Sequence, residues 1–217
     1  MRKLVVGTFL TLDGVMQAPG GPDEDREGGF EQGGWSVNYW DEVMGQKIVE
    51  STLNAGALLL GRKTYDIFAA HWPLVSDDDP IAAKLNSMPK YVASRTLHDV
   101  TWNNSSLLRG DVADEVRKLK ESEGGEIQVT GSSDLIQTLL GHDLVDEFNL
   151  WVFPVVVGPG KRLFSSGTVP GALKVIETTV SSTGVATTRY ARAGAIKLGE
   201  FEVDREGAAS ELWTSRP

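Results

Sequence analysis

The chain contains no cysteine, which excludes disulfides, thiolate catalysis and cysteine-based zinc sites. Histidine is scarce. His71, His98 and His142 stand far apart, without the spacing of a histidine metal site, so no metal is expected. No apolar run approaches the length of a membrane span. The opening MRKLVVGTFL is too brief for a secretory signal and lacks a small-residue cleavage pattern, so the expectation is a cytoplasmic protein with no membrane partner. Cations are in deficit: 21 Lys and Arg face 30 Asp and Glu, a formal charge of −9. That balance argues against nucleic acid as a partner, because non-specific binding needs a basic footprint. A small anionic ligand stays compatible, since a local cluster of cations can be positive within an acidic chain.

What is present is an ordinary globular composition, 41% hydrophobic over 217 residues, long enough for a sizeable core. KLVVGTF (3–9) reads as a buried first strand. Residues 12–34 are dense in Gly, Pro and acids without periodicity, a long loop of the kind that usually serves function. Trp40, Met44 and Ile48 mark an amphipathic helix over 40–56. A strand at 57–60 and a helix at 63–71 follow. Asp79 and Pro80 are N-cap and first residue of a short helix. Strands are predicted at 90–94, 100–108, 126–131 and 146–158, with helices at 111–122 and 132–141 between them. A hairpin around Thr183-Gly184 closes the pattern. The alternation implies an α/β fold whose central sheet is mostly parallel, with an antiparallel C-terminal hairpin at its edge. Residues 1–194 form one domain in this reading, and 195–217 add a strand (IKLGEFEVD) and a tail.

Ligands of open parallel sheets bind at the carboxyl ends of the strands. Three exits here carry suitable residues. Gly61-Arg62-Lys63-Thr64 offers close backbone approach, a helix N-terminus and two cations. Ser94 and Arg95 leave the strand 90–94. Thr130-Gly131-Ser132-Ser133 lie between a strand and a helix as a small-residue anion cradle. Each has a plainer reading as a cap or a solvated charge, but together on one sheet they point to a dinucleotide. Arg62, Lys63 and Arg95 favour a 2′-phosphate, hence NADP over NAD. The G-x-G-x-x-G fingerprint is absent, and GPGKRLF lacks the upstream glycine and trailing hydroxyl of a Walker loop.

The segments FLTLDGVMQAPG, LLLGRKTYDIF, VTGSSDLIQTLL and LVDEFNLWVFPVVVGPGKRLF resemble the dihydrofolate-reductase-like superfamily. Within it the chain is most similar to the riboflavin-biosynthesis reductase domain, the C-terminal part of bifunctional deaminase-reductases, over about residues 2–192. The resemblance implies a three-layer dihydrofolate-reductase-like fold and an NADPH-dependent reductase of a small heterocyclic or imine/carbonyl substrate. It relates the activity to 5-amino-6-(5-phosphoribosylamino)uracil reductase. By the same resemblance Gly61, Arg62, Lys63 and Thr64 grip the adenosine 2′-phosphate and the pyrophosphate. Ala93, Ser94 and Arg95 lie beside the adenine ribose, and Thr130, Gly131, Ser132, Ser133 and Leu135 lie under the pyrophosphate. Asp13, Gly14 and Met16 border nicotinamide and substrate, while Phe153, Pro154, Gly158 and Gly160 flank the substrate end. Trp40 offers it a stacking surface. A homodimer is expected, extended by edge pairing of AIKLGEFEV.

Two departures bear on activity. The first-helix carboxylate of true dihydrofolate reductases falls near Gly45, leaving Asp41 or Glu42 as substitutes, and the zinc-deaminase motif is absent. Proton donors open at this point are Asp13, Asp41 and a bound water. The competing expectations are an inactive NADP-binding module and, behind it, a dihydrofolate reductase. By the same resemblance the loop 12–34, longer and more acidic than a minimal family member's, is expected to keep out a phosphorylated substrate.

Overall fold

The computed structural model describes residues 1–165 and 168–199. Its strands are β1 (Leu4–Thr11), β2 (Ala55–Gly61), β3 (Lys90–Ala93), β4 (Ser105–Leu107), β5 (Glu126–Thr130), β6 (Glu147–Phe153), β7 (Leu173–Val180) and β8 (Ala186–Arg192). They form one eight-stranded sheet in the order β4-β3-β2-β5-β1-β6-β8-β7. β1 is parallel to both of its neighbours, β5 and β6. A strand so placed is covered on both faces, which is why LVVGTFLT is nearly continuously apolar rather than alternating. The last two strands run antiparallel and end at the sheet edge, as the hairpin predicts.

Five helices cover the sheet: α1 (Glu42–Asn54), α2 (Arg62–His71), α3 (Pro80–Ser87), α4 (Val112–Glu121) and α5 (Ser133–Gly141). Leu4, Val6 and Leu10 of β1 point into a core with Val116 of α4 and Ile136 and Leu139 of α5. Phe9, between them in sequence, faces the other layer, where Met44 of α1 packs with Trp151 and Phe153. Leu58 and Leu60 of β2 meet Tyr65 of α2 and Leu85 of α3 on that same second layer's outer part. The result is a three-layer fold with a mostly parallel sheet in the middle. No helix among the described residues is long and apolar enough to cross a membrane.

Two strands are shorter than the sequence suggests. Across 100–108 only Ser105–Leu107 pair, because Tyr65 Oη accepts the N–H groups of Thr101 (2.9 Å) and Trp102 (3.1 Å) that a ladder would need. The strand expected over 146–158 stops at Phe153. Pro154 has no donor to give, and the N–H groups of Val157 and Gly158 are drawn to the carboxylate of Asp13. At the C-terminus, residues 195–199 carry no strand, and the remainder of IKLGEFEVD and the tail lie outside the described residues.

Candidate functional site

Because β3, β2, β5, β1 and β6 are mutually parallel, their carboxyl ends share one edge of the sheet. The three exits picked from sequence, at Ala93, Gly61 and Thr130, are therefore consecutive along that edge, followed by Thr11 and Phe153. α1 leaves β1 over one face and α5 leaves β5 over the other, the switch-point arrangement that opens a crevice at such an edge.

The exits of β2 and β5 are fastened to each other. Ser132 Oγ accepts from the Gly61 N–H (2.9 Å) and donates to Thr64 Oγ1 (2.9 Å). Ser132 takes a left-handed conformation (φ 61°) to do so, and its side chain does not cap α5. Gly131 precedes it at φ 59°, where a Cβ would press to 3.2 Å of Thr64 Oγ1. α2 likewise starts from Gly61 with no side-chain cap. The other three helices are each capped by an aspartate, Asp41, Asp79 and Asp111. Two adjacent helix N-termini thus present N–H groups that no side chain of the cap residue satisfies, the local electrostatics of an anion site.

Cations flank this pair. Arg62, half exposed, donates to Thr96 Oγ1 (2.7 Å) and lies 3.4 Å from Asp66. Ser94 Oγ accepts from the N–H groups of Thr96 (3.2 Å) and Leu97 (3.0 Å), so the turn after β3 is built against Arg62. Arg95 is exposed. Leu135 is buried beneath Gly61 in the core, where it shapes the cradle by packing.

At the other end of the edge, Asp13 is a buckle. Its carboxylate accepts from Thr11 Oγ1 (2.6 Å), Gly158 N (2.9 Å) and Val157 N (3.3 Å), with Arg162 3.7 Å away. The Thr11 hydroxyl first, then the Gly158 and Val157 N–H groups, hold its pKa below the ordinary value. Gly14 follows at φ 82°, and Met16 N–H bonds Lys161 O (2.8 Å) to zip the loop after β1 onto residues 158–163. Gly160 is required there: at φ 153°, a Cβ would come within 2.6 Å of Val15. Gly158, at φ 83°, turns the chain into this loop.

Two of the residues expected to meet substrate are buried. Met16 is 6% exposed within the core, and Phe153 is fully buried among Phe9, Trp35 and Tyr39, whose rings lie 5.4, 5.3 and 5.9 Å from its own. Neither has surface to offer a ligand. Trp40 is 40% exposed, with its ring 5.6 Å from that of Phe9 and 6.3 Å from that of Trp151. Pro154 is exposed beside the β7–β8 turn. Asp41 is the N-cap of α1: one oxygen accepts from Met44 N (2.9 Å), the other from the N–H and hydroxyl of Ser182 (both 2.7 Å). These bonds, the Met44 N–H foremost, hold its pKa below the usual value.

A strap formed by the acidic loop 12–34 crosses between the two ends. In the loop 12–34, Glu27 accepts from Lys63 and, at 2.5 Å, from Lys161, while Asp25 accepts from Lys161 at 2.5 Å. The Lys161 and Lys63 bonds pull Glu27 down to about 2. Burial is the largest single influence on Asp25 and would raise it, but the Lys161 bond, the Glu27 N–H and the charges of Lys161 and Lys63 together outweigh burial and its pKa is lowered. The available signal was Lys161 itself, in GPGKRLF, which failed as a phosphate loop. A cavity of about 450 Å³ opens beside the strap, lined by Gln17, Phe30, Val157 and Lys161 among others.

Residues 2–187 match the RibD C-terminal domain. The protein YyaP of Bacillus subtilis (strain 168) is 30% identical over 194 residues, covering 87% of this chain and 94% of that one. Among solved structures, a putative riboflavin biosynthesis protein from Shewanella sp. PV-4 superposes with a TM-score of 0.66 at 22% identity, over 88% of this chain and 99% of that one. A Thermotoga maritima diaminohydroxyphosphoribosylaminopyrimidine deaminase/5-amino-6-(5-phosphoribosylamino)uracil reductase gives 0.60 at 15%, over 88% and 57%. Dihydrofolate reductase from Enterococcus faecalis, complexed with NADP(H), gives 0.54 at 14%, over 88% and 96%. These likenesses establish the dihydrofolate-reductase-like fold, and the chain belongs to the RibD C-terminal domain family.

Proposed function

From membership of the RibD C-terminal domain family, we propose that the chain is an NADPH-dependent reductase of a small heterocyclic or imine/carbonyl substrate. The observation that carries this is the pair of helix starts, α2 and α5, without side-chain caps at adjacent strand exits and flanked by Arg62 and Lys63. The residues present fit a dinucleotide. Gly61, Thr64, Gly131, Ser132 and Ser133 form a cradle that an added side chain at Gly131 would crowd. In this reading their N–H groups and hydroxyls hold the pyrophosphate, Lys63 joins them, and Ser94 lies beside the ribose. Arg62 and Arg95 take the 2′-phosphate. The solved relative that holds NADP(H) supports the same cofactor class.

When bound, NADPH supplies the hydride. The chain's own residues do the rest: the cradle fixes the nucleotide, the strap and Trp40 border the reacting end, and exclusion of water keeps the transfer clean. Asp13 and Asp41 are both held deprotonated by the donors around them. Neither carries a proton to give at neutral pH, so we assign the proton to water. We also propose a cytoplasmic homodimer. β7 has no second neighbour among the described strands and exposes Val175, Ile176 and Val180. A monomeric mass in solution removes that part.

The decisive experiment is a fluorescence titration with NADPH and NADH on wild type and Arg62→Ala. NADPH affinity should fall about tenfold or more in the variant, the loss of a charge-assisted bond worth ~1.5–3 kcal/mol, with NADH little changed. Absence of binding to either nucleotide overturns the reading. Binding without turnover on pterins, flavin precursors and quinones leaves an inactive nucleotide module instead.

A further inference from the structure

We propose that Asp25 and Glu27 set the substrate class: from within the chain they fill the place where a substrate phosphate would be held, so the substrate end takes uncharged ligands and rejects phosphate monoesters. The word substrate rests on the reductase reading above; the electrostatic claim does not.

The geometry is that of an occupied anion position. One carboxylate oxygen of Glu27 accepts from the ammonium groups of both Lys63 and Lys161. Asp25 binds Lys161 with one oxygen (2.5 Å), and its other lies 3.7 Å from Lys63. Two cations that converge on one oxygen would equally suit two oxygens of a phosphate. The acids are built in rather than incidental. Gln17, 4% exposed, donates to the carbonyls of Asp25 (3.1 Å) and Glu27 (2.9 Å) and accepts from Lys161 N–H (3.1 Å). A single buried amide therefore sets both the acids and the lysine they meet. Trp35 Nε1 donates to Gln17 O (2.8 Å) and Ser36 Oγ to Pro19 O (2.8 Å), which closes the base of the loop.

Among the described residues, Arg162, the next cation along this end, is also engaged. Arg162 donates to Gly158 O (2.9 Å) and sits 3.7 Å from Asp13. The adjoining cavity has Glu27 and Glu31 against Lys161 as its ionisable lining, two negative charges to one positive. A phosphate dianion entering it would meet like charge and an already neutralised ammonium.

Exposure decides which pair can exchange. Lys63 and Glu27 are 62% and 59% exposed, so a nucleotide phosphate can replace Glu27 at Lys63 at little cost. Lys161 and Asp25 are 25% and 20% exposed, and their bond is shielded from water. The cofactor end can thus accept phosphate while the substrate end stays closed to it.

The test compares ribose 5-phosphate with ribose by calorimetry on the full chain. Wild type should bind ribose 5-phosphate no better than ribose. Asp25→Asn combined with Glu27→Gln should gain about tenfold for ribose 5-phosphate, and adding Lys161→Met should abolish the gain. Should the double variant not fold, Glu27→Gln alone should gain about threefold. Wild type preferring ribose 5-phosphate, a variant without gain, or a gain that survives Lys161→Met each overturns the proposal. NADPH titrated in parallel separates the two ideas: loss of NADPH binding with the phosphate gain intact sinks only the reductase reading, and the reverse sinks only this one.

Discussion

The two ends of the same sheet treat charge in opposite ways. At the amino ends of the strands, charges are matched within the fold. Glu147, 3% exposed, accepts from Lys3 (2.5 Å) and Arg189 (2.6 Å), and Arg189 also reaches Glu126 (2.8 Å). Lys120, equally interior, bonds Asp146 (2.6 Å) and Leu144 O (2.8 Å). At the carboxyl ends, Arg62 and Arg95 are exposed, Lys63 meets the loop acids Glu27 and Asp25, and α2 and α5 start without the aspartate caps of α1, α3 and α4. Buried ion pairs lock an architecture, because removal of one member strands the other. Donors without a committed partner stabilise nothing until an anion arrives. On the proposed reading, the carboxyl ends are the nucleotide end of the molecule.

This contrast can be broken by mutation. The largest effect is expected from Glu147→Ala, which removes the partner shared by Arg189 and Lys3 and should cost ~2–3 kcal/mol in urea unfolding. Glu147 also gives the contrast a pH signature. Burial raises its pKa, but the Lys3 and Arg189 bonds more than reverse that and the net shift is downward. A depressed carboxyl contributes stability that is fully present above the ordinary value of 4.5 and is lost as pH falls below it. Unfolding midpoints of Glu147→Gln should therefore show a shallower slope below that pH than wild type. A loss under about 1 kcal/mol would mean that the amino end is not the structural one.

A smaller effect is expected at the carboxyl end. Gly131→Ala forces a methyl group into left-handed backbone beside Thr64, and should cost ~1–2 kcal/mol while weakening nucleotide binding. Smallest in stability is Ser132→Ala, which removes the acceptor of the Gly61 N–H and should cost about 1 kcal/mol. Its larger consequence should be on NADPH affinity, because the two cradle turns lose their link. If Ser132→Ala unfolds the chain as readily as Glu147→Ala while leaving NADPH affinity alone, the two ends are not different in kind.

Much of the fold was legible from local pattern. Asp79-Pro80 announces a helix start, and Asp79 accepts from the N–H groups of Ile81 (2.8 Å) and Ala82 (3.0 Å) as such a cap should. The glycine exits at Gly61 and Gly131 and the closing hairpin were equally readable. Errors arose where a distant group took over a local bond: Tyr65 delays the start of one predicted strand, and Asp13 pulls the chain out of another. Asp13 and Asp41, chosen as proton carriers for their type and position, turn out to be acceptors engaged by backbone N–H groups.

Local pattern specifies the α/β alternation, the helix caps, the absence of cysteine chemistry and the three glycine- or serine-bearing strand exits. Each depends on residues within one turn or one strand of each other, where steric and hydrogen-bonding preferences act directly. Packing of the whole chain sets β5 between β2 and β1, and with it lets Ser132 fasten Gly61 across 71 residues. The same holds for Asp25 meeting Lys161 across 136 residues. Such contacts follow from strand order and from which faces must be buried, and a Coulombic bond forms only where the packed chain brings its two charges together.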